Sequence, residues 1–559
     1  MASKRVLIVG GVAGGASCAA RLRRLDEQAD IYLFERGPEI SFANCGLPYY
    51  LGGVIANRQQ LLVASPERFR DWFRIEVRTR HDVQRIDRQN RQIEVVNIQT
   101  GQKMVESYDA LVLSPGAAPI RPNVPGVDLP GIFTLRTLED ADRIVQWIAD
   151  HKPRRAVVVG AGYIGLELAE NLVHRGLEVI LLEKLPHVLP SLDEEMVLGV
   201  EEELRQRGVE VRLGCALAGF EPSDYHRLSV LTEPGERILA DMVLLAVGVR
   251  PDVRLAQEAG LAIGPTGGIQ VDEQMRTSDP YIWAVGDAVE VRDWITGQPT
   301  LIPLAGPAAR QGRIAAESIC GRPTRYRGSQ GTAIVQVFSW VLACTGANER
   351  KLRQCGIPYE KIYLYPPHHA SYYPGATPLQ MKVLFSPDNG RLLGAQIVGR
   401  QGVAERINVL AFALQKQATV FDLEEAELAY APQFGSVKDP INMAGFIGAN
   451  ILRGDMAIVH WEQCDLGRLA DLPEQSRPLI LDVRTPGERA TAAAPGSIHI
   501  PLGELRTRLQ ELPTNRPIWV YCGAGQRGYY AARILQQHGF QVANISGGFA
   551  CFRMLQKCK

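Results

Sequence analysis

The 559-residue sequence carries no excess of either charge: Lys and Arg total 61, Asp and Glu total 61, and the formal net charge is zero. That balance argues against a general surface for nucleic acid or an anionic membrane, so recognition of charged ligands must be local. There is no run near the roughly 18 apolar residues that a bilayer demands. Nor is there a basic and then apolar leader, because Met1 passes straight into Arg5-Val6-Leu7-Ile8-Val9. The ten cysteines, at positions 18, 45, 215, 320, 344, 355, 464, 522, 551 and 558, form no C-x-x-C pair and no regular framework. This argues against a zinc site or a disulfide scaffold. A cytoplasmic protein is expected, with no nucleic-acid or membrane partner and no metal.

What is present is a pattern repeated about 150 residues apart. Val6 to Leu22 and Ala156 to Leu172 each read as strand, glycine turn and helix. Each is followed by a strand ending in a carboxylate, Ile31-Tyr32-Leu33-Phe34-Glu35 and Val179-Ile180-Leu181-Leu182-Glu183. Later strands end at Gly116 and Gly248. Two doubly wound nucleotide domains follow, over 1–150 (completed by 255–325) and 151–254. Alternating strands and a long helix then give an α+β unit over 326–450. The weakly periodic stretch 451–475 reads as a linker, and a small α/β unit occupies 476–559. The expected fold class is α/β with these four parts.

In the second repeat Gly160-Ala161-Gly162-Tyr163-Ile164-Gly165 is a full G-x-G-x-x-G between strand and helix. The glycines let backbone approach a pyrophosphate, the helix N-terminus supplies N–H donors, and Glu183 suits a ribose 2′-hydroxyl, favouring NADH over NADPH. The first repeat, Gly10-Gly11-Val12-Ala13-Gly14-Gly15, departs from the pattern with Val12 at the middle glycine, while Glu35 keeps the ribose role.

Cys45 lies in Ser41-Phe42-Ala43-Asn44-Cys45-Gly46-Leu47-Pro48-Tyr49-Tyr50, where Gly46 and Pro48 suit the start of a helix. A thiol at such a terminus is expected to be pushed toward thiolate. Position 50 is Tyr50, so no second cysteine stands five residues on. The oxidised form of Cys45 is then a sulfenate, a mixed disulfide or a persulfide. Near the end of the chain, Ile518-Trp519-Val520-Tyr521 reads as a strand, Cys522-Gly523-Ala524-Gly525-Gln526-Arg527 as a loop and Gly528 to Gly539 as a helix. Successive loop amides form an anion nest for the Cys522 sulfur, with Arg527 adding positive potential. Cys551 and Cys558 read as incidental.

Through these motifs, with Thr277 to Asp287, Ser371-Tyr372-Tyr373-Pro374-Gly375, Tyr430-Ala431-Pro432 and Ser436 to Pro440, the first 450 residues resemble the pyridine nucleotide disulfide oxidoreductase superfamily. Within it they resemble the coenzyme A disulfide reductase branch. With its C-terminal unit the whole chain resembles NADH-dependent persulfide reductases fused to a rhodanese domain. Asp482-Val483-Arg484 and Gly496 to Pro501 match that domain's other segments. The four residues between Cys522 and Arg527 favour sulfur transfer over the longer loop of the phosphatase relatives.

The resemblance implies FAD at Gly10, Gly11, Ala13, Gly14, Glu35, Arg36, Asn44, Val83, Ser114, Gly116, Arg136, Asp287 and Ala305. It implies NADH at Gly160, Gly162, Tyr163, Ile164, Gly165, Glu183 and Gly248, and coenzyme A at Ser17, Arg21, Arg24, Ser41, Asn44, Arg310 and Lys438. It implies a homodimer in which Tyr373 and Tyr430 of one subunit approach Cys45 of the other. Ala309 and Phe434 depart from the branch, which usually has asparagine and often has tyrosine at these positions.

The activity so implied is NADH-driven reduction of coenzyme A persulfide or polysulfide at Cys45, with inorganic sulfane sulfur delivered by Cys522. Alternatives are a coenzyme A disulfide reductase proper and an NADH oxidase or peroxidase cycling Cys45 through sulfenate. A further one is a non-enzymatic sulfur-trafficking or redox-sensing flavoprotein.

Overall fold

The structure, a computed structural model, describes residues 4–224, 227–233, 235–464, 473 and 476–557. The chain divides into two compact units, Met1–Val188 with Leu204–Gly331, and Leu189–Glu203 with Thr332–Lys559.

The first unit holds two five-stranded parallel sheets. One runs in the order Ile282–Ala284, Ala110–Leu113, Arg5–Val9, Asp30–Glu35, Glu76–Thr79. The other runs Val209–Arg212, Glu178–Leu182, Arg155–Val159, Met242–Leu245, Ile132–Thr134. Their central strands are apolar along nearly their whole length because helices cover both faces. Ile282–Ala284 pairs with Ala110–Leu113, and the helix Ala305–Ile319 lies close against the helix Ala13–Leu25, where a Cβ at Gly312 would overlap the Gly14 carbonyl. Residues from beyond the second fold therefore complete the first. Ile132–Thr134, placed by sequence reading in the first domain, pairs instead with Met242–Leu245 at the edge of the second sheet. A three-residue strand carries too little pattern to reveal its sheet.

In the second unit an antiparallel sheet runs Ala333–Val337, Trp340–Gly346, Leu392–Gly399, Gln380–Phe385, Glu360–Leu364. The helices Val403–Gln415 and Pro440–Leu452 share its core, the latter opened by Pro440 and an Asp439–Asn442 capping box. A parallel sheet follows in the order Ile458–Val459, Val542–Ile545, Ile518–Tyr521, Leu479–Asp482, Ile498–His499. Its first strand falls inside the stretch 451–475 expected as a linker. Two residues on a sheet edge leave no readable period, whereas most of 465–475, like Cys558, lies outside the described residues.

One charge cluster at the root of this unit has no counterpart in the sequence reading. The ammonium of Lys382, fully buried, is held by Asp193 at 2.7 Å and by Glu195 and Glu349. The three carboxylates are close enough together to hold a cation, and the lysine ammonium pairs with all of them. Lys361 joins Glu349 at 3.0 Å to Glu462 at 2.9 Å, and the Tyr363 hydroxyl donates to Glu195 at 2.7 Å. Burial raises Glu349 toward neutrality, but Lys382 and Lys361 outweigh it and hold the carboxyl well below its ordinary range. Among the described residues no helix is long and apolar enough to cross a membrane.

Candidate functional site

Both nucleotide folds build the same carboxylate-braced glycine turn. In the first, Gly10 adopts φ 95° and Glu35 accepts the main-chain N–H of Gly11 and of Gly37, each at 2.8 Å. In the second, Gly160 adopts φ 101° and Glu183 accepts from Ala161 at 2.7 Å and Leu185 at 2.9 Å. A Cβ at Gly10 or Gly160 would overlap the carbonyl of Ser114 or Ala246, and one at Gly15 or Gly165 the carbonyl of Gly10 or Gly160. The helices Ala13–Leu25 and Tyr163–His174 start at Val12 and Gly162 without a side-chain cap. Their first-turn N–H groups are thus available to a pyrophosphate, and open space lies where a Cβ at Gly162 would stand. Val12 is tolerated at the middle position because its φ of −95° needs no glycine.

The residues expected around the flavin fall into two groups. Ser114, Gly116, Arg136 and Asp287 converge: Arg136 donates to Asp287 at 2.9 Å, and a Cβ at Gly116 would stand 3.2 Å from the Arg136 guanidinium. Asn44 reaches the Arg136 carbonyl at 3.5 Å. Ala305 is the exposed first residue of its helix, and Gly248, at φ 104°, follows the strand Met242–Leu245. By contrast, Val83 is buried at a bulge in the strand His81–Asp87, so its side chain belongs to the core and only its main chain is left for a ligand. Arg36 pairs with Asp252 at 3.0 Å.

Cys45 is exposed and sits in the short turn Asn44–Gly46 before the helix Leu47–Gly52. Contrary to the expected lowering, its thiol is pushed up, first by desolvation among neighbouring atoms and then by Glu167, with Arg136 opposing only in part. A six-residue helix has too small a dipole to overcome these effects. Glu167 was not foreseen. It lies on the helix Tyr163–His174, accepts the Tyr49 hydroxyl at 3.1 Å, and burial lifts its carboxyl to about 7. Mid-helix glutamates usually read as a solvated face, and the one available signal was its place a turn after Tyr163, just past the glycine motif. As the pH rises through about 7, Glu167 gains charge and holds the thiol protonated. Glu167→Gln is therefore expected to move the pH profile of Cys45 alkylation by iodoacetamide to lower pH, and an unchanged profile would refute the coupling.

Ser17, Arg21, Arg24 and Ser41 share one cavity of about 380 Å³ in the first unit with Phe69 and Arg313. Arg21 and Arg313 both reach Glu317, Arg21 at 2.6 Å and Arg313 at 3.2 Å. Arg310, the expected contact, is absent from this lining and stacks over Tyr326 at 5.8 Å. Three residues along one helix separate the two arginines, a difference that sequence spacing alone does not decide.

The second unit carries Lys438, exposed and 6.0 Å from the Phe446 ring, and the tyrosine pair. The Tyr430 hydroxyl meets that of Tyr372 at 2.8 Å, whereas the Tyr373 ring packs edge-on against His369. Arg406 fixes both loops, donating to the carbonyl of His368 and the carboxylate of Asp439, each at 2.8 Å, and to the Phe434 carbonyl at 3.2 Å. The Tyr430 phenol is raised by its hydrogen bond with Tyr372, so it stays a proton donor at neutral pH.

In the C-terminal sheet Cys522 is buried at the end of Ile518–Tyr521, and its Sγ accepts the Gly525 N–H at 3.1 Å. Gly525, at φ 110°, opens the helix Gln526–Gln537. Asp482 and Arg484 form a buried pair at 2.7 Å, and the Asp482 carboxylate also accepts the Tyr521 hydroxyl at 2.7 Å.

Two dinucleotide folds around one exposed thiol, with a rhodanese-like unit in the same chain, define an oxidoreductase. The chain belongs to the pyridine nucleotide-disulphide oxidoreductase family, whose model matches residues 4–312. The dimerisation-domain model of that family matches 332–439, and a rhodanese-like domain model matches 465–554. The coenzyme A disulfide reductase of Staphylococcus epidermidis is 38% identical over 443 residues, 79% of this chain and 99% of its own length. Reduced Bacillus anthracis CoADR-RHD is 44% identical with a TM-score of 0.96, covering 99% of this chain and 98% of that one. The NAD-dependent persulfide reductase from A. fulgidus is 36% identical with a TM-score of 0.88, covering 98% of this chain and all of its own.

Proposed function

We propose that this enzyme uses NADH to reduce coenzyme A persulfide or polysulfide, and coenzyme A disulfide, at the single thiol Cys45, and that it acts as a homodimer. FAD, held at Gly10, Gly11, Gly14, Glu35 and Asp287, supplies the two-electron link between nicotinamide and thiol when bound. The Gly160 turn and Glu183 hold the NADH. Ser17, Arg21, Arg24 and Arg313 offer charge and hydroxyls to the phosphates of coenzyme A.

The Cys45 thiolate attacks a sulfur of the substrate S–S bond; a new S–S bond forms at Cys45 and the old one breaks. The leaving sulfur departs as thiolate or hydrosulfide, and the Tyr372–Tyr430 pair, brought across the dimer, donates a proton to it. Reduction by two electrons then returns Cys45 to thiolate and frees the bound group. Tyr430→Phe and Tyr372→Phe are each expected to lower turnover by ~10²-fold, the scale of one lost donor to a developing anion. Tyr373→Phe should stay near the parental rate in steady-state assays.

The observation that carries the persulfide reading is the buried Cys522 thiol with its Gly525 N–H donor, since the curated coenzyme A disulfide reductases align over only 79% of this chain. Stopped-flow NADH oxidation with coenzyme A persulfide, coenzyme A disulfide, oxygen and peroxide tests it. Fastest turnover is expected with the persulfide, and fastest turnover with peroxide would overturn the assignment.

A further inference from the structure

The Cys522 loop sits beside a charge arrangement that bears on which sulfur donors it accepts. The loop N–H of Gly525 and the N-terminus of the twelve-residue helix Gln526–Gln537 favour an anion at the sulfur. Arg527 also faces Cys522 and would add a full positive charge. That charge is matched: its two terminal nitrogens donate to the two carboxylate oxygens of Glu488 at 2.7 and 2.6 Å, fork to fork. Glu488 is braced from behind, accepting from the Thr485 N–H at 3.0 Å and hydroxyl at 2.9 Å as the capping box of the helix Pro486–Thr491. Both partners overhang the loop. A Cβ at Gly523 would stand 3.1 Å from the Arg527 guanidinium and 3.6 Å from a Glu488 oxygen. Arg527 and Thr485 hold the Glu488 carboxyl at about 2, so the negative charge is present at every working pH.

We propose that Glu488 selects the donor at Cys522, turning the site from dianionic thiosulfate toward organic persulfides that carry at most one negative charge at the reacting end. The inference rests on reading Cys522 as the sulfur-loading nucleophile. With a persulfide R–S–S–H, the Cys522 thiolate attacks the outer sulfur and a new S–S bond forms. The old S–S bond breaks, R–S⁻ leaves with its electron pair, and the proton stays on the transferred sulfur as Cys522–S–S–H. With thiosulfate the same displacement expels sulfite, and two negative charges must be brought up to a carboxylate whose arginine is already neutralised. Glu488 is thus a selectivity residue that acts through the field at the loop.

The test uses the full-length holoenzyme, single-turnover loading of Cys522 and intact-mass detection of the added sulfur. The donors are thiosulfate and 2-hydroxyethyl persulfide, whose only ionisable group is the persulfide. The parent is expected to load faster from the persulfide. Glu488→Gln, which keeps an oxygen for Thr485, should raise the thiosulfate rate by roughly tenfold, more at low ionic strength than at high, as expected for electrostatic attraction. It should leave the persulfide rate within about twofold, because removal of one charge alters attraction chiefly for the doubly charged donor. Glu488→Asp, which keeps the charge, should retain the parental preference. Equal changes with both donors, or an unaltered thiosulfate rate in Glu488→Gln, would overturn the selectivity role while Cys522 still loads. Failure of both donors to load Cys522 in the parent would instead overturn the reading on which it rests.

Discussion

Lys382→Met is expected to cost about 3–5 kcal/mol of stability, the scale for removing one partner from a buried charge cluster. The side chain has no solvent exposure, and its loss leaves Asp193, Glu195 and Glu349 facing one another, with Lys361 and Arg353 still paired to Glu349. Uncompensated buried carboxylates repel and are poorly solvated, so the deficit exceeds the net value of the original pairs. Urea unfolding of the full chain followed by circular dichroism should show the lower midpoint, and a parental midpoint would contradict the role given to the cluster. The pH dependence supplies a second check. In the parent the carboxyls of Glu195 and Glu349 are held below their ordinary value of 4.5 by Lys382, so these two contribute stability above that pH and lose it as the pH falls toward their folded values. In Lys382→Met protonation relieves repulsion instead, and the gap between variant and parent should narrow in acid.

Cys45→Ser is expected to abolish NADH consumption with every sulfur acceptor, a loss of at least ~10³-fold, because a serine hydroxyl cannot replace a thiolate in S–S exchange. Cys522→Ser should behave differently: with preformed coenzyme A persulfide it keeps the parental rate, and only the supply of sulfur from an external donor fails. Assay of both variants with the same persulfide separates an enzyme turning over at Cys45 from a protein that merely carries sulfur. Parental NADH oxidation by Cys45→Ser with sulfur acceptors would defeat the mechanism.

The parts of the protein that were legible in the sequence are those where a local rule admits few residues. The turns at Gly10 and Gly160 demand positive φ and close approach to a carbonyl, and Glu35 closes its strand while Glu183 directly follows its own, so both nucleotide folds stand out. Cys522, separated from Arg527 by four residues, was readable for the same reason. What was hidden depends on long-range packing. Tyr372 and Tyr373 are neighbours of one type, and only the loop anchored by Arg406 decides which hydroxyl meets Tyr430. Arg310 and Arg313 lie on one helix, and its rotation decides which lines the cavity. The raised Cys45 thiol depends on Glu167, more than 100 residues away, and Lys382 gathers carboxylates from two distant segments. Buried lysines are rare enough that a sequence reading assigns them to the surface.

The interrupted first sheet also sets an order of events during synthesis. Its strand Ala110–Leu113 gains its outer neighbour, Ile282–Ala284, only after the whole second fold has left the ribosome. At translation rates of about 5–20 residues per second, that wait is on the order of ten to thirty seconds. The second fold, whose strands all lie between Ile132 and Leu245, is complete earlier, so the nascent chain matures from its middle outward.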